Sequence, residues 1–143
     1  MSVEQNKAQF RRFIEEVFNK GNVSTIDELL APNFVEREVL PPGTPGGREG
    51  VKQLTRMFRT AFPDFNVSID DMIAEGDKIV ARTTWNGTQK GEFMGIPPSG
   101  KRVSFDVIDI IRTSGGKFVE HWGVMDSSAM MQQLGVIPAG PPA

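Results

Sequence analysis

Near Pro63 the apolar pattern of this chain changes its period, and that change constrains the fold more than any other feature. Before it, apolar residues recur at helical spacing. Phe10, Phe13, Ile14, Val17 and Phe18 fall at i, i+3, i+4, i+7 and i+8, one stripe of a helix. Val51, Leu54, Met57, Phe58, Ala61 and Phe62 make a second stripe, on a helix over about 49–62 that Pro63 ends. After it, the pattern alternates. Phe65, Val67, Ile69 and Ile73 share one face of a strand. Further strands are expected over about 78–89, 103–113 and 117–125, with Glu75-Gly76-Asp77 and Ser114-Gly115-Gly116 as turns. Helices first and consecutive antiparallel strands afterwards argue for an α+β fold, with helices on one face of a sheet, and against a parallel βαβ fold.

Smaller signals fill in the frame. Ser2 with Gln5 reads as a capping box for the first helix, and Gly21 as its stop. Ser24 should cap a short helix over 24–30 that Pro32 ends. The Pro/Gly-rich run 41–50 reads as a loop. A last short helix, about 127–134, carries Met130, Met131 and Leu134. The third expected strand has Val103, Phe105, Val107 and Ile111 on one side, and Ser104, Asp106, Ile108 and Ile110 on the other. Both faces are partly apolar. The helices can cover one; a second copy of the chain is the simplest cover for the other, which predicts a homodimer.

The chain of 143 residues suits one domain, taken as 1–137 with a Pro/Gly-rich tail over 138–143. It has no cysteine, which excludes disulfides and thiolate metal sites. A single histidine, His121, excludes a metal site of several histidines but not one of carboxylates alone. No phosphate loop or dinucleotide fingerprint occurs. The expectation is no metal and no organic cofactor. Lys and Arg total 16 against 18 Asp and Glu, with no basic stripe, so nucleic acid is not an expected partner. No apolar run approaches the ~20 residues that span a membrane. The start MSVEQNKAQF lacks the features of a signal peptide, and a cytoplasmic location is expected.

The chemistry concentrates in Glu120-His121-Trp122-Gly123-Val124-Met125-Asp126. On a regular strand Glu120, Trp122, Val124 and Asp126 share one face, and His121 and Met125 the other. If the first set faces the helices, two carboxylates sit beside an indole among apolar groups, where a carboxylate must be paired or titrate upward. Asp126 has two readings: a cap on the last helix, or a functional acid/base. A Ser127-His121-Asp126 triad is formally open, but no nucleophile-elbow motif supports it. Trp85 and Trp122 are core or pocket wall. Arg82 is either a buried partner for Glu120 or a solvated strand residue. Met125, Met130 and Met131 are core or ligand surface. Phe93, Met94 and Ile96 form a lid or pack on the sheet edge.

At these residues the chain resembles a known family. GTQKGEFMGIPPSGK, followed by a strand ending EHWGVMDSSAMMQQLGVI, is similar to the SnoaL-like polyketide cyclases, of the nuclear transport factor 2-like fold. LLAPNFVEREVLPPGTPGGREGVKQLTRMFRTAFPDF matches that family's early run as well. The resemblance implies a cone-shaped curved antiparallel sheet with about three N-terminal helices on its concave face, dimeric through the outer sheet face. It implies cofactor-independent intramolecular aldol cyclisation of an aromatic polyketide ester, with Asp126 in the acid/base position. The same pocket could instead serve a non-catalytic binder of small apolar ligands, or a hydratase, dehydratase or epoxide hydrolase. Three residues depart from the family's usual pattern: Gln89 where histidine is frequent, Arg37 where histidine is common, and Gly123 where aspartate is frequent. The expected pocket, at least ~300 Å³, is lined by Phe18, Phe58, Phe62, Trp85 and Trp122, with Glu120, His121, Arg82, Gln89, Phe93 and Arg37 around the substrate.

Overall fold

The computed structural model describes residues 2–138, so of the expected tail only Pro138 is among them. The first helix, α1 (Val3–Phe13), starts on the expected capping box. The Gln5 N–H donates to Ser2 Oγ at 3.1 Å, and the Ser2 N–H to Gln5 Oε1 at 2.9 Å. The helix continues as one wider π-type turn, Ile14–Asn19, before the stop at Gly21, where φ is +75°. That widening was not legible in the stripe. It is held from outside: the Arg59 guanidinium donates to the carbonyls of Phe18 and Asn19 at 2.7 and 3.1 Å. The Asn19 amide in turn grips the Val67 backbone, accepting its N–H at 2.7 Å and donating to its carbonyl at 3.0 Å. All five residues of the stripe are buried.

The next helix is α2 (Ser24–Leu29). Ser24 does not cap it. Its hydroxyl donates to Asn22 Oδ1 at 2.6 Å, and the cap position is Val23. At Leu30 the backbone turns extended into a strand the sequence pattern hid, β1 (Leu30–Glu36). Pro32 lies within it and is tolerated because β1 is an edge strand, where a missing N–H breaks no ladder. Then follow α3 (Gly47–Ala61), β2 (Asn66–Glu75), β3 (Lys78–Thr88), β4 (Arg102–Ser114), β5 (Lys117–Met125) and α4 (Ser127–Gln133).

The five strands form one curved sheet in the order β1-β5-β4-β3-β2. β1 runs parallel to β5, and every other pairing is antiparallel. The chain turns where Ser114-Gly115-Gly116 was expected to turn it: Ser114 ends β4, and Gly115 and Gly116, both at positive φ, make a two-residue β4–β5 hairpin. Thus the α+β class is as expected, with one extra, parallel edge. The core lies between α1–α3 and one sheet face, where Ile79, Ala81 and Trp85 of β3 and Val103, Phe105, Val107 and Ile111 of β4 are all buried.

Two bulges change which side chains point inward. In β2 one extra residue sits between the pairs Ile69–Thr83 and Asp71–Arg82. Past it the alternation flips, and Ile73, expected inside, is 63% exposed. In β5 the shift falls between the pairs Thr113–Phe118 and Arg112–Glu120. Phe118 is therefore buried, and from Glu120 onward the inward parity belongs to His121.

The outer sheet face carries exposed Ile73, Ile108 and Val124, with half-buried Ile110 and Trp122 between them. This predicts an isologous sheet-on-sheet dimer. Light scattering at micromolar concentration should give twice the mass of one chain, and Ile108→Asp combined with Val124→Asp should give a folded monomer. A wild-type monomer would remove the expectation.

Candidate active site

Three adjacent strands bring three ionisable groups to one inward patch. Glu36 stands at the end of β1, beside His121 of β5 in the parallel register. Asp109 of β4 lies diagonally across, opposite Gly123. The His121 imidazole bridges the two strands flanking its own. Its Nδ1 is 2.5 Å from Glu36 Oε1, and its Nε2 is 2.8 Å from Asp109 Oδ1. Two carboxylates facing two ring nitrogens call for a proton on each, the imidazolium form. Burial alone would lower the pKa of His121, but the hydrogen bonds to Asp109 and Glu36 outweigh it and carry it to about 10.

A fourth group, Glu38, follows two residues beyond Glu36. Among the described residues no donor bonds its carboxylate; it feels its neighbours only through charge. Burial pushes its pKa up to about 7 against the pull of His121, and the charges of Asp109 and Glu36 push the same way. Glu36, Glu38 and His121 bring ligand-type atoms within 4.8 Å of one another. With a carboxylate on each ring nitrogen, His121 has no free lone pair to offer a metal.

Two spaces meet at Glu38. The inner one holds about 50 Å³, between Phe10, Phe18, Trp85 and the charged patch. That is room for one or two waters, not for an aromatic ligand. The outer cleft holds about 490 Å³. It is walled by Phe58, Phe93 and the methionines 57, 94, 125, 130 and 131, and among the described residues Glu38 is its single ionisable one. Glu38, Leu40 and Leu54 line both spaces. The single large pocket expected from sequence is thus divided.

The sequence-derived candidates scatter. His121 and Trp85 border the inner space, and Phe58 and Phe93 the outer cleft. Phe62 is fully buried beneath Phe58 and Phe93 and lines neither. Trp122 and Glu120 face outward, contrary to the orientation considered first, because the β5 bulge sets the parity. Glu120 is held by Arg37 at 2.8 Å and Arg112 at 3.1 Å, which keep its carboxyl below the usual range. Arg37 is thereby a surface partner rather than a pocket residue. Arg82 is the solvated alternative: half exposed, 3.6 Å from Asp70 and not paired with Glu120. Gln89 has no exposed surface. Its amide donates to the carbonyls of Gly91, Ile96 and Pro97 at 3.0–3.2 Å and accepts Ser99 Oγ at 2.6 Å, pinning the 91–97 loop. Asp126 is exposed and accepts the Ala129 N–H at 3.1 Å, the capping geometry; its neighbours Met125 and Ser127 line the cleft, and it does not. With both His121 nitrogens on carboxylates, no Ser127 triad is assembled.

Glu36, Glu38 and Asp109 were missed. A signal existed for each. Asp109 interrupts the inward series Val103, Phe105, Val107, Ile111, and Glu36 and Glu38 share a parity in the hidden edge segment.

Comparison with known proteins bears on this geometry. The family model described as SnoaL-like polyketide cyclase matches residues 8–134. The chain is 26% identical over 120 residues to a nogalonic acid methyl ester cyclase of Streptomyces nogalater, covering 82% of this chain and 89% of that protein. Its fold is similar to that of TsrD from Streptomyces laurentii, with TM-score 0.87, 32% identity, and 96% and 99% of the two chains covered. It is also similar to IdmH from Streptomyces antibioticus, with TM-score 0.79, 34% identity, and 91% and 98% covered.

The charged patch has a signature in stability. The folded state keeps a proton on Glu38 up to about pH 7, whereas the unfolded chain releases it near the ordinary value of 4.5. Stability from this group is therefore full below pH 4.5 and falls as pH rises to 7. His121 adds to the same trend: its contribution is complete below the ordinary 6.5 and is lost as pH rises through about 10. Thermal midpoints should fall from pH 5 to pH 10. Glu38→Gln should flatten the acidic half of that slope and stabilise the protein at pH 8 by about 1–3 kcal/mol. A slope unchanged by Glu38→Gln would contradict the assignment.

Proposed function

The chain belongs to the SnoaL-like polyketide cyclase family, and from that premise we propose that it closes a ring in a neutral polyketide-type ester by intramolecular aldol addition, with Glu38 moving the proton. The observation that carries this reading is the place of Glu38. It is a carboxyl poised near neutrality, in the wall of an apolar cleft large enough for an aromatic ligand. The likeness to a nogalonic acid methyl ester cyclase supports an ester as substrate.

The reaction needs little more. A carbon between two carbonyls is acidic, and its enolate is delocalised over the substrate itself. Ionised Glu38 takes that proton. The enolate carbon attacks a ketone carbon of the same molecule, a carbon–carbon bond forms, and the carbonyl electrons move to oxygen. Protonated Glu38 returns its proton to that oxygen, so the carboxylate ends as it began. The route uses no cofactor. The apolar walls hold the chain folded for closure, which supplies much of the acceleration. His121, fixed by Glu36 and Asp109, sets the charge next to Glu38. Asp126 keeps the capping part, which its exposure and its bond to the Ala129 N–H support.

Cyclisation of a neutral polyketide methyl ester tests this directly. Glu38→Gln should lower kcat by about 10²–10⁴-fold, the usual worth of general acid-base help. Asp126→Asn, which can still cap, should keep the rate within a few fold, while Asp126→Ala should lose about 0.5–2 kcal/mol of stability. Equal rates for wild type and Glu38→Gln would end the assignment to Glu38, and loss of turnover in Asp126→Asn would return it to Asp126.

A further inference from the structure

Gly123 sits in β5 directly opposite Asp109, two residues past His121 on the same inward parity. Its backbone is not in the left-handed region, so conformation does not demand glycine there. Space does. A Cβ at 123 would lie 2.8 Å from His121 Cε1, 3.0 Å from Glu38 Cδ and 3.1 Å from Glu38 Oε1. Ordinary carbon contacts begin near ~3.5 Å. The volume a side chain at 123 would fill is therefore taken by the edge of the imidazole and by the carboxylate of Glu38. Among the described residues no hydrogen bond holds that carboxylate. β1 ends at Glu36, and the last backbone bond toward β5 is the Arg37 N–H to the His121 carbonyl, at 2.8 Å. Glu38 stands past the ladder, and its carboxyl has no hydrogen-bond donor among the described residues.

We infer that Gly123 is a positioning residue: its missing side chain is the seat that lets Glu38 reach across from the β1 side to the His121 imidazole, and the seat accepts one carboxylate only. In its consequence for turnover this rests on the function proposed above; in its geometry it does not. The groups facing Glu38 are His121 of β5, Glu36 of β1 and Asp109 of β4. Those three hold one another, so a side chain at 123 displaces the untethered member, Glu38.

Wild type, Gly123→Ala, Glu38→Ala and the double variant test the seat without any substrate. Carbon-13 NMR titration of the glutamate carboxyls should show one group well above the ordinary ~4.3 in wild type. Gly123→Ala should return that group to the ordinary range, and Glu38→Ala should remove it. The drop in Tm caused by Gly123→Ala should be at least halved when Glu38 is already Ala, since only the imidazole contact then remains. An unchanged titration in folded Gly123→Ala, or equal Tm drops in the two backgrounds, overturns the inference. If Gly123→Ala alone does not fold, the double variant decides: folding supports the seat, and failure to fold overturns it. The ester assay adds a transplant. Gly123→Asp in the Glu38→Ala chain should raise turnover at least ~10-fold over Glu38→Ala alone, whereas Gly123→Asp beside an intact Glu38 should lower it. No gain from the transplant counts against a seat open to either strand. A wild type without turnover rejects the proposed reaction, while the titration and the Tm cycle still decide the seat.

Discussion

The His121 imidazole joins the three strands on which the charged patch depends. β1 adds to the sheet at its edge, in parallel, with a proline in its run and a register shift between Leu30 and Val35. Few ladder bonds hold such an edge. The bridge from Glu36 through the ring to Asp109 fastens it at the side-chain level, by two short charge-assisted hydrogen bonds. Without the ring, the carboxyl groups of Glu36, Asp109 and Glu38 would be left together in a wall of phenylalanine, leucine and tryptophan. Removing one member of such a set strands the others, which is costlier than replacing the whole by apolar groups.

The same bridge explains why Glu38 differs from its neighbours. An imidazolium between two carboxylates leaves the trio with a net charge of −1. A fourth ionised group beside it would raise the negative charge further while losing its own water. Burial is the largest part of that resistance, and the charges of Asp109 and Glu36 add to it against the opposing pull of His121. The outcome is one carboxyl near neutrality, set apart by its environment as acid-base sites require.

The fold was legible because its signals were periodic. The two helical stripes, the hairpin glycines and the inward series of β4 are each set by residues a few positions apart. The misassigned faces of β2 and β5 share one cause, which is a change of register. One residue inserted in β2 turned Ile73 out, and one in β5 gave the inward place to His121 instead of Glu120 and Trp122. A bulge has no reliable mark in a single sequence, yet it reverses every assignment beyond it. β1 was hidden because its partner is the last strand, some 85 residues away, as in the Glu36–His121 contact. Pro32 also argues locally against a strand. The charged patch was lost with it, since two of its four groups lie on or just past that edge. Asp126 is a different case. Its sequence neighbourhood drew attention to it, but the capping chemistry that the same neighbourhood encodes already accounts for its position.

The patch divides its work between groups that are bonded and one that is not. A carboxylate that accepts charge-assisted hydrogen bonds is held in place and stays ionised, as Glu120 is by Arg37 and Arg112 on the outer face. Such a group is positioned well but gives up a proton too readily to return one at neutral pH. A buried carboxyl free of donors titrates where a proton can move both ways, but no hydrogen bond fixes its position. Glu36, Asp109 and His121 supply the rigidity, and Glu38 supplies the adjustable affinity. What then positions Glu38 is shape: Leu40 and Leu54 on the shared wall, and the empty side of Gly123 beneath it. In this site the absence of a side chain at 123 has the same standing as the presence of the carboxyl at 38, because neither sets the chemistry without the other.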